Sequence, residues 1–203
     1  MTQSRTVLLA VLFASAQLFG SELHFALQSE PKTLDPLQVS DGPSEVVRYL
    51  TGGVLVRMDR QTGKSQPSLA ESWKLTDGGK TVVFKLRSNL KFSDGTPFSS
   101  EDVVFTIRRM GEEKLHSPVA DSFKQEGMLP TPEALGPNEV AVHFPNPPSS
   151  VDRLFDQLAI QSAHSPKKEM AVLGPFFVED RKTGAYLVLR RNSNYWKRDS
   201  AGH

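Results

Sequence analysis

The 203-residue chain contains no cysteine. That absence excludes disulfides, thiolate metal sites and lipid attachment at a cysteine. Net charge is nearly absent too: 24 basic and 23 acidic side chains leave +1 at neutral pH. No basic run stands ready to neutralise phosphates, so nucleic acid is excluded as the main partner. The histidines His24, His116, His143, His164 and His203 are scattered, without the His-Glu-x-x-His or i, i+4 spacing of a metal site. There is no G-x-S-x-G elbow and no phosphate-binding glycine loop. Glu101-Asp102 and Glu112-Glu113 fit a helix start and a solvated end better than acid–base work. The chain therefore reads as a non-enzyme with no cofactor and no metal. A hydrolase without a recognisable motif is the least favoured alternative, and it would need an apposed nucleophile and base.

Long hydrophobic runs are scarce. The run from Thr6 to Phe13 follows Arg5 and precedes Ala14-Ser15-Ala16. It is too short to span a bilayer as a mature helix, and the small-x-small triplet after it fits a signal-peptidase site. Residues 1–16 are expected to be a secretory signal, with the cut there or a few residues later. The product is expected to be periplasmic and not membrane-spanning.

What is present is ordinary soluble composition, 38% hydrophobic and 23% charged, with enough chain for a core. The most patterned stretch, Leu69 to Met110, reads LAESWKLTDGGKTVVFKLRSNLKFSDGTPFSSEDVVFTIRRM. Trp73 and Leu75 alternate with polar neighbours, as do Val82, Phe84 and Leu86, which predicts two strands with one buried face each. Asp77-Gly78-Gly79 between them supplies the reversal. Ser93 to Pro97 is a compact loop. Ser99 and Asp102 form a capping-box pattern ahead of a helix striped by Val103, Ile107 and Met110 and ended by Gly111.

The remaining stretches follow the same grammar. Leu23, Phe25 and Leu27 alternate as a strand, and the proline-punctuated stretch Ser29 to Pro43 is irregular before a helix from Glu45 to Leu50. Gly52-Gly53 reads as a turn, Val54 to Met58 as a strand closed by a turn at Asp59 to Lys64, and Leu115 to Met128 as irregular. Val140, Val142 and Phe144 mark a strand entered through Gly136-Pro137-Asn138. Ser149 or Ser150 caps a helix carrying Val151, Leu154, Phe155 and Leu158. A second hairpin spans Phe176 to Arg190, turning at Lys182-Thr183-Gly184. Trp73 and Trp196 sit in patterned segments and are expected to pack in the core.

The order LAESW, DGGKT, FKLR, KFSDGTP, EDVVF, closed by GPF and RNSNYW, resembles the family 5 extracellular solute-binding proteins, the oligopeptide- and dipeptide-binding receptors of bacterial ABC importers. The early Thr33-Leu34-Asp35-Pro36 matches the same family. The resemblance implies an α/β fold: the mixed-sheet first lobe of a type II periplasmic-binding-protein-like clamshell. Residues 17–203 would be this N-terminal lobe, incomplete and without the second lobe, as a fragment or a truncated product. It implies a peptide or similar small solute as ligand and an inner-membrane ABC permease as partner. By the same resemblance the loop at Ser40, Asp41 and Gly42 faces the ligand, with Val119 where peptide-binding relatives often carry an aromatic. The family usually shows Glu-Gly-Leu where this chain has Thr51-Gly52-Gly53. A remnant or interaction module that keeps the fold without transport is the main rival reading.

The signal reading is checked by mass spectrometry of the N-terminus from fractionated cells. A periplasmic product lacking at least residues 1–16 is expected, and an intact Met1 in the cytoplasm would refute it.

Overall fold

Asp41 ends the first irregular stretch by capping a helix. Its carboxylate accepts the Ser44 amide at 3.0 Å, Pro43 presets the first turn, and helix α1 runs Gly42–Thr51. The computed structural model in which this is seen describes residues 25–165 and 171–198. The helix is longer at both ends than the expected Glu45 to Leu50. The signal segment 1–16 and Leu23 lie outside the described residues. Phe25 to Leu27 lie inside them and form no strand. A strand needs a ladder partner, and none among the described residues pairs with this stretch.

Strand β1 (Val56–Met58) pairs with β2 (Ser65–Pro67) across the expected Asp59 turn. The signature hairpin follows: β3 (Ala70–Thr76) against β4 (Thr81–Leu86), with Trp73 opposite Phe84 and Leu75 opposite Val82. Its reversal places Asp77, Gly78 and Gly79 all at positive φ. Ser99 and Asp102 close the capping box of α2 (Ser100–Met110). Then come α3 (Pro118–Phe123), β5 (Thr131–Gly136), β6 (Glu139–His143), and α4 (Val151–Gln157), capped by Ser150. The last hairpin is β7 (Phe176–Lys182) with β8 (Tyr186–Arg191).

The α/β class is as expected, and each ladder among the described residues is antiparallel. The main sheet has the order β3-β4-β6-β5. Its core face carries Val82, Phe84, Leu86, Val140 and Val142, all buried. Phe84 meets Phe155 of α4 edge to face at 4.6 Å, and Phe155 meets Phe123 of α3 at 5.4 Å. The α2 stripe Val103, Ile107 and Met110 enters the same core.

Helix α3 forms inside the stretch Leu115 to Met128 read as irregular, and two strands also depart from the pattern reading. Strand β5 was hidden by Pro132, which breaks a strand pattern; as an edge strand bonded only to β6, it tolerates a proline. In β3, Leu75 is 54% exposed and Trp73 only partly buried, although their register is the expected one. An edge strand has a neighbour on one side only, and near its turn it outruns the core.

Phe84→Ala is expected to cost about 3–5 kcal/mol, the range for emptying a packed aromatic site. Leu75→Ala is expected to fall within about 0.5 kcal/mol of the parent. Denaturant midpoints of the two variants check this, and equal losses would overturn the face assignment.

Candidate functional site

The Ser29–Pro43 stretch is irregular in trace yet firmly held. Asp35 organises it: its Oδ1 accepts the Leu37 amide at 3.1 Å, while its own amide donates to Thr33 Oγ1 at 3.0 Å. Such side-chain turns are what aspartate and threonine supply where prolines forbid a ladder. Arg109 of α2 then grips the carboxylate with both terminal nitrogens, at 3.1 and 2.6 Å. Gln161 bridges the pair, accepting from Arg109 at 2.6 Å and donating to Asp35 at 3.1 Å. The fork geometry and low exposure, 18% and 12% for the two side chains, make this a strong pair rather than a surface one.

Arg109 is the third polar residue on one face of α2. Asp102, Thr106 and Arg109 fall at i, i+4 and i+7, beside the apolar stripe. Thr106 Oγ1 donates to the Asp102 carbonyl at 2.7 Å and accepts the Gln161 amide at 2.9 Å. The Asp102 carboxylate accepts Ser99 N–H at 2.8 Å and Ala163 N–H at 2.9 Å. Burial pushes the Asp102 pKa up, and those two amides partly offset the shift. One helix face therefore fixes both the Leu34–Leu37 loop and the segment at 161–163.

Between these walls lies a cleft of about 530 Å³. Leu34 and Pro36 line one side, Val47, Thr51 and Gly52 of α1 another, and Ile160, Gln161, Phe177 and Val178 the rest, with Ser93 and Asp94 at the turn. Burial alone would raise Asp94, but hydrogen bonds from Thr96 and Ser165 outweigh it and hold the carboxyl below its usual range. Gly52-Gly53 is not the expected turn. Both residues continue α1 into extended chain, and the need for glycine is spatial. A Cβ on Gly52 would sit 2.8 Å from the Ala159 Cβ, and one on Gly53 2.5 Å from the Leu173 Cβ.

The expected ligand residues are placed as follows. Ser40 is exposed on the loop, Asp41 is the N-cap and Gly42 is the exposed first residue of α1. The Ser44 amide and hydroxyl hold the Asp41 carboxyl below its ordinary value. Val119 packs into the core at 7% exposure. Ser117, which caps α3, donates to the Leu37 carbonyl at 2.6 Å and ties that helix to the same loop. None of the four residues lines the cleft. Pattern reading missed Asp35, Arg109 and Gln161 as a unit, although the i, i+4, i+7 polar spacing on α2 was a usable signal.

The nearest approach to a hydrolytic constellation is Thr81 Oγ1 at 3.0 Å from His143 Nδ1, with His143 Nε2 3.2 Å from Glu133. It follows from cross-strand register on β4, β6 and β5, and lies outside the cleft. Among the described residues no cluster of three or more His, Asp or Glu side chains is arranged to hold a metal. No described helix is long and apolar enough to cross a membrane.

Residues 64–202 match the bacterial extracellular solute-binding proteins, family 5 Middle. The chain is 43% identical over 113 residues to the probable deoxycholate-binding periplasmic protein YgiS of Escherichia coli K12, covering 55% of this chain and 20% of that one. It is 27% identical over 221 residues to the di/tripeptide-binding protein 1 of Pseudomonas aeruginosa, covering 94% of this chain and 41% of the relative. The structure of Haemophilus influenzae OppA in complex with RPPGFSPFR superposes with a TM-score of 0.71 at 27% identity, over 83% of this chain and 37% of that one. The substrate-binding protein CtaP of Listeria monocytogenes superposes at 0.75 with 24% identity, over 84% and 36%, a likeness of fold. The chain thus spans between a fifth and about two fifths of the length of the relatives it matches.

Removing one partner of the Asp35–Arg109 pair strands the other in a largely buried place. Arg109→Met and Asp35→Asn are each expected to cost about 3 kcal/mol, with the double variant losing clearly less than the sum. Denaturant melts of the four proteins check this, and strict additivity would refute the coupling.

Proposed function

The chain belongs to the family 5 bacterial extracellular solute-binding proteins, and we propose that it is the N-terminal lobe of a periplasmic receptor that captures peptides or similar small solutes for an ABC importer. The cleft carries the reading: its volume lies within the range of small-molecule sites, and its walls are held by the Asp102–Thr106–Arg109 face. Relatives named for di/tripeptide and dipeptide binding support it. In this reading the protein is not an enzyme. Residues 17–203 form the mature lobe in the periplasm, and a peptide lies extended, held mainly through its main chain. The exposed loop at Ser40 to Gly42 lies outside the cleft lining and would meet only a part of the peptide that extends beyond it. Capture is completed when a facing lobe closes by a hinge, and the closed form docks on an inner-membrane permease.

A second reading has its own observation. The cleft wall is largely apolar, with Leu34, Pro36, Val47, Ile160 and Phe177, and the relative named as probably deoxycholate-binding is 43% identical over its matched span. An amphipathic apolar solute would suit such a wall.

Calorimetric titration of the mature chain with dipeptide and oligopeptide pools, and separately with deoxycholate, tests both. A single lobe leaves most of a ligand in water, where each hydrogen bond nets about 1 kcal/mol. Peptide dissociation constants about millimolar or weaker are expected, near −4 kcal/mol. Micromolar peptide binding by this chain alone would overturn the single-lobe account. Saturable deoxycholate binding tighter than that of every peptide would select the second reading.

A further inference from the structure

Gly52 lines not only the cleft but also a second, smaller cavity of about 190 Å³. The end of α1, strand β1, the Gln66–Ser68 segment and Tyr195 to Lys197 surround it. Among the described residues its charged lining residues are Arg57 and Lys197, both cationic, and no described carboxylate lines it. Arg57 is under-neutralised for a desolvated guanidinium. Its nearest carboxylate, Asp156, stands at 3.6 Å, and its contact to the Gly52 carbonyl is 3.4 Å, against 2.6 Å for the Arg109–Asp35 pair. The Tyr49 ring takes a cation–π contact from Arg57 at 4.8 Å and from the exposed Arg60 at 4.5 Å, so one ring is shared by two cations. Glu45, 4.0 Å from Arg60, is already held by Arg48.

The cavity also has donors to spare. Among the described residues neither the Tyr49 nor the Tyr195 hydroxyl has a hydrogen-bond partner, and neither does Trp196 Nε1 or Lys197 Nζ. Burial pushes the Tyr195 pKa up, which keeps its hydroxyl a donor. We propose that this cavity is a binding site for a small oxyanion, a carboxylate or a phosphate, gripped by Arg57 and Lys197 with the Tyr195 hydroxyl as a further donor. A guanidinium offers two parallel N–H groups to such an anion, and cations of one sign in a small recess focus their field on it. The recess has room for several waters, which the anion would displace. The site is independent of the solute reading, because its polar side chains line a different cavity.

The test is NMR of the full chain titrated with inorganic phosphate and, separately, acetate, against chloride at matched ionic strength. The readouts are the Trp196 indole N–H and the Arg57 side-chain N–H. A saturable shift with either anion and not with chloride is expected. Lys197→Gln, at an exposed position that leaves the fold intact, is expected to weaken it about fivefold, and Arg57→Lys about tenfold or more. Non-saturating shifts, shifts equal to those from chloride (an adventitious ion only), or an affinity unchanged in both variants would overturn the proposal.

Discussion

One face of one helix holds the cleft together, and it does so by pairing with backbone and charge rather than with hydrocarbon. Asp102, Thr106 and Arg109 reach Ala163, Gln161 and Asp35, segments 61, 55 and 74 residues away in the chain. The neighbouring stripe, Val103, Ile107 and Met110, locks the same helix into the sheet core. The helix therefore transmits the position of the sheet to both walls. Its cost is the buried Asp102 carboxylate, which tolerates low dielectric only because two amides point at it.

Where side-chain period and cap chemistry decide the structure, the sequence was readable. The turn at Asp77 to Gly79, the Ser99–Asp102 box, the Ser150 cap and the two hairpins are local decisions, each made by residues a few positions apart. Buried faces were legible on β4 and β6, which have neighbours on both sides, and misleading at Leu75 on an edge. Strand β5 was invisible because Pro132 argues against a strand unless one knows that the strand lies at an edge.

The candidate site was legible only in outline. The Thr33–Pro36 motif led to an expected ligand contact at Ser40 to Gly42, whereas the residue that organises the stretch, Asp35, draws its partners from α2 and from Gln161. No spacing rule connects positions so far apart. Gly52-Gly53 shows the same limit in another form. Paired glycines are the mark of a turn when local conformation selects them, and here close approach of Ala159 and Leu173 selects them instead.

The strand and glycine contacts also set an order of events during synthesis. Residues 70–158 hold the four-stranded sheet with α2, α3 and α4, so every ladder of that sheet lies within this block. The contacts of the earlier segment do not. Val54 waits for Ala159, Gly53 for Ile160, and Thr51 for Gly174, whose amide donates to it at 2.9 Å. The end of α1 and the chain just after it are thus completed only once residues 159–174 are present. The loop held by Arg109 and Ser117 waits, for its neighbouring helix end to be fixed, on partners more than a hundred residues downstream.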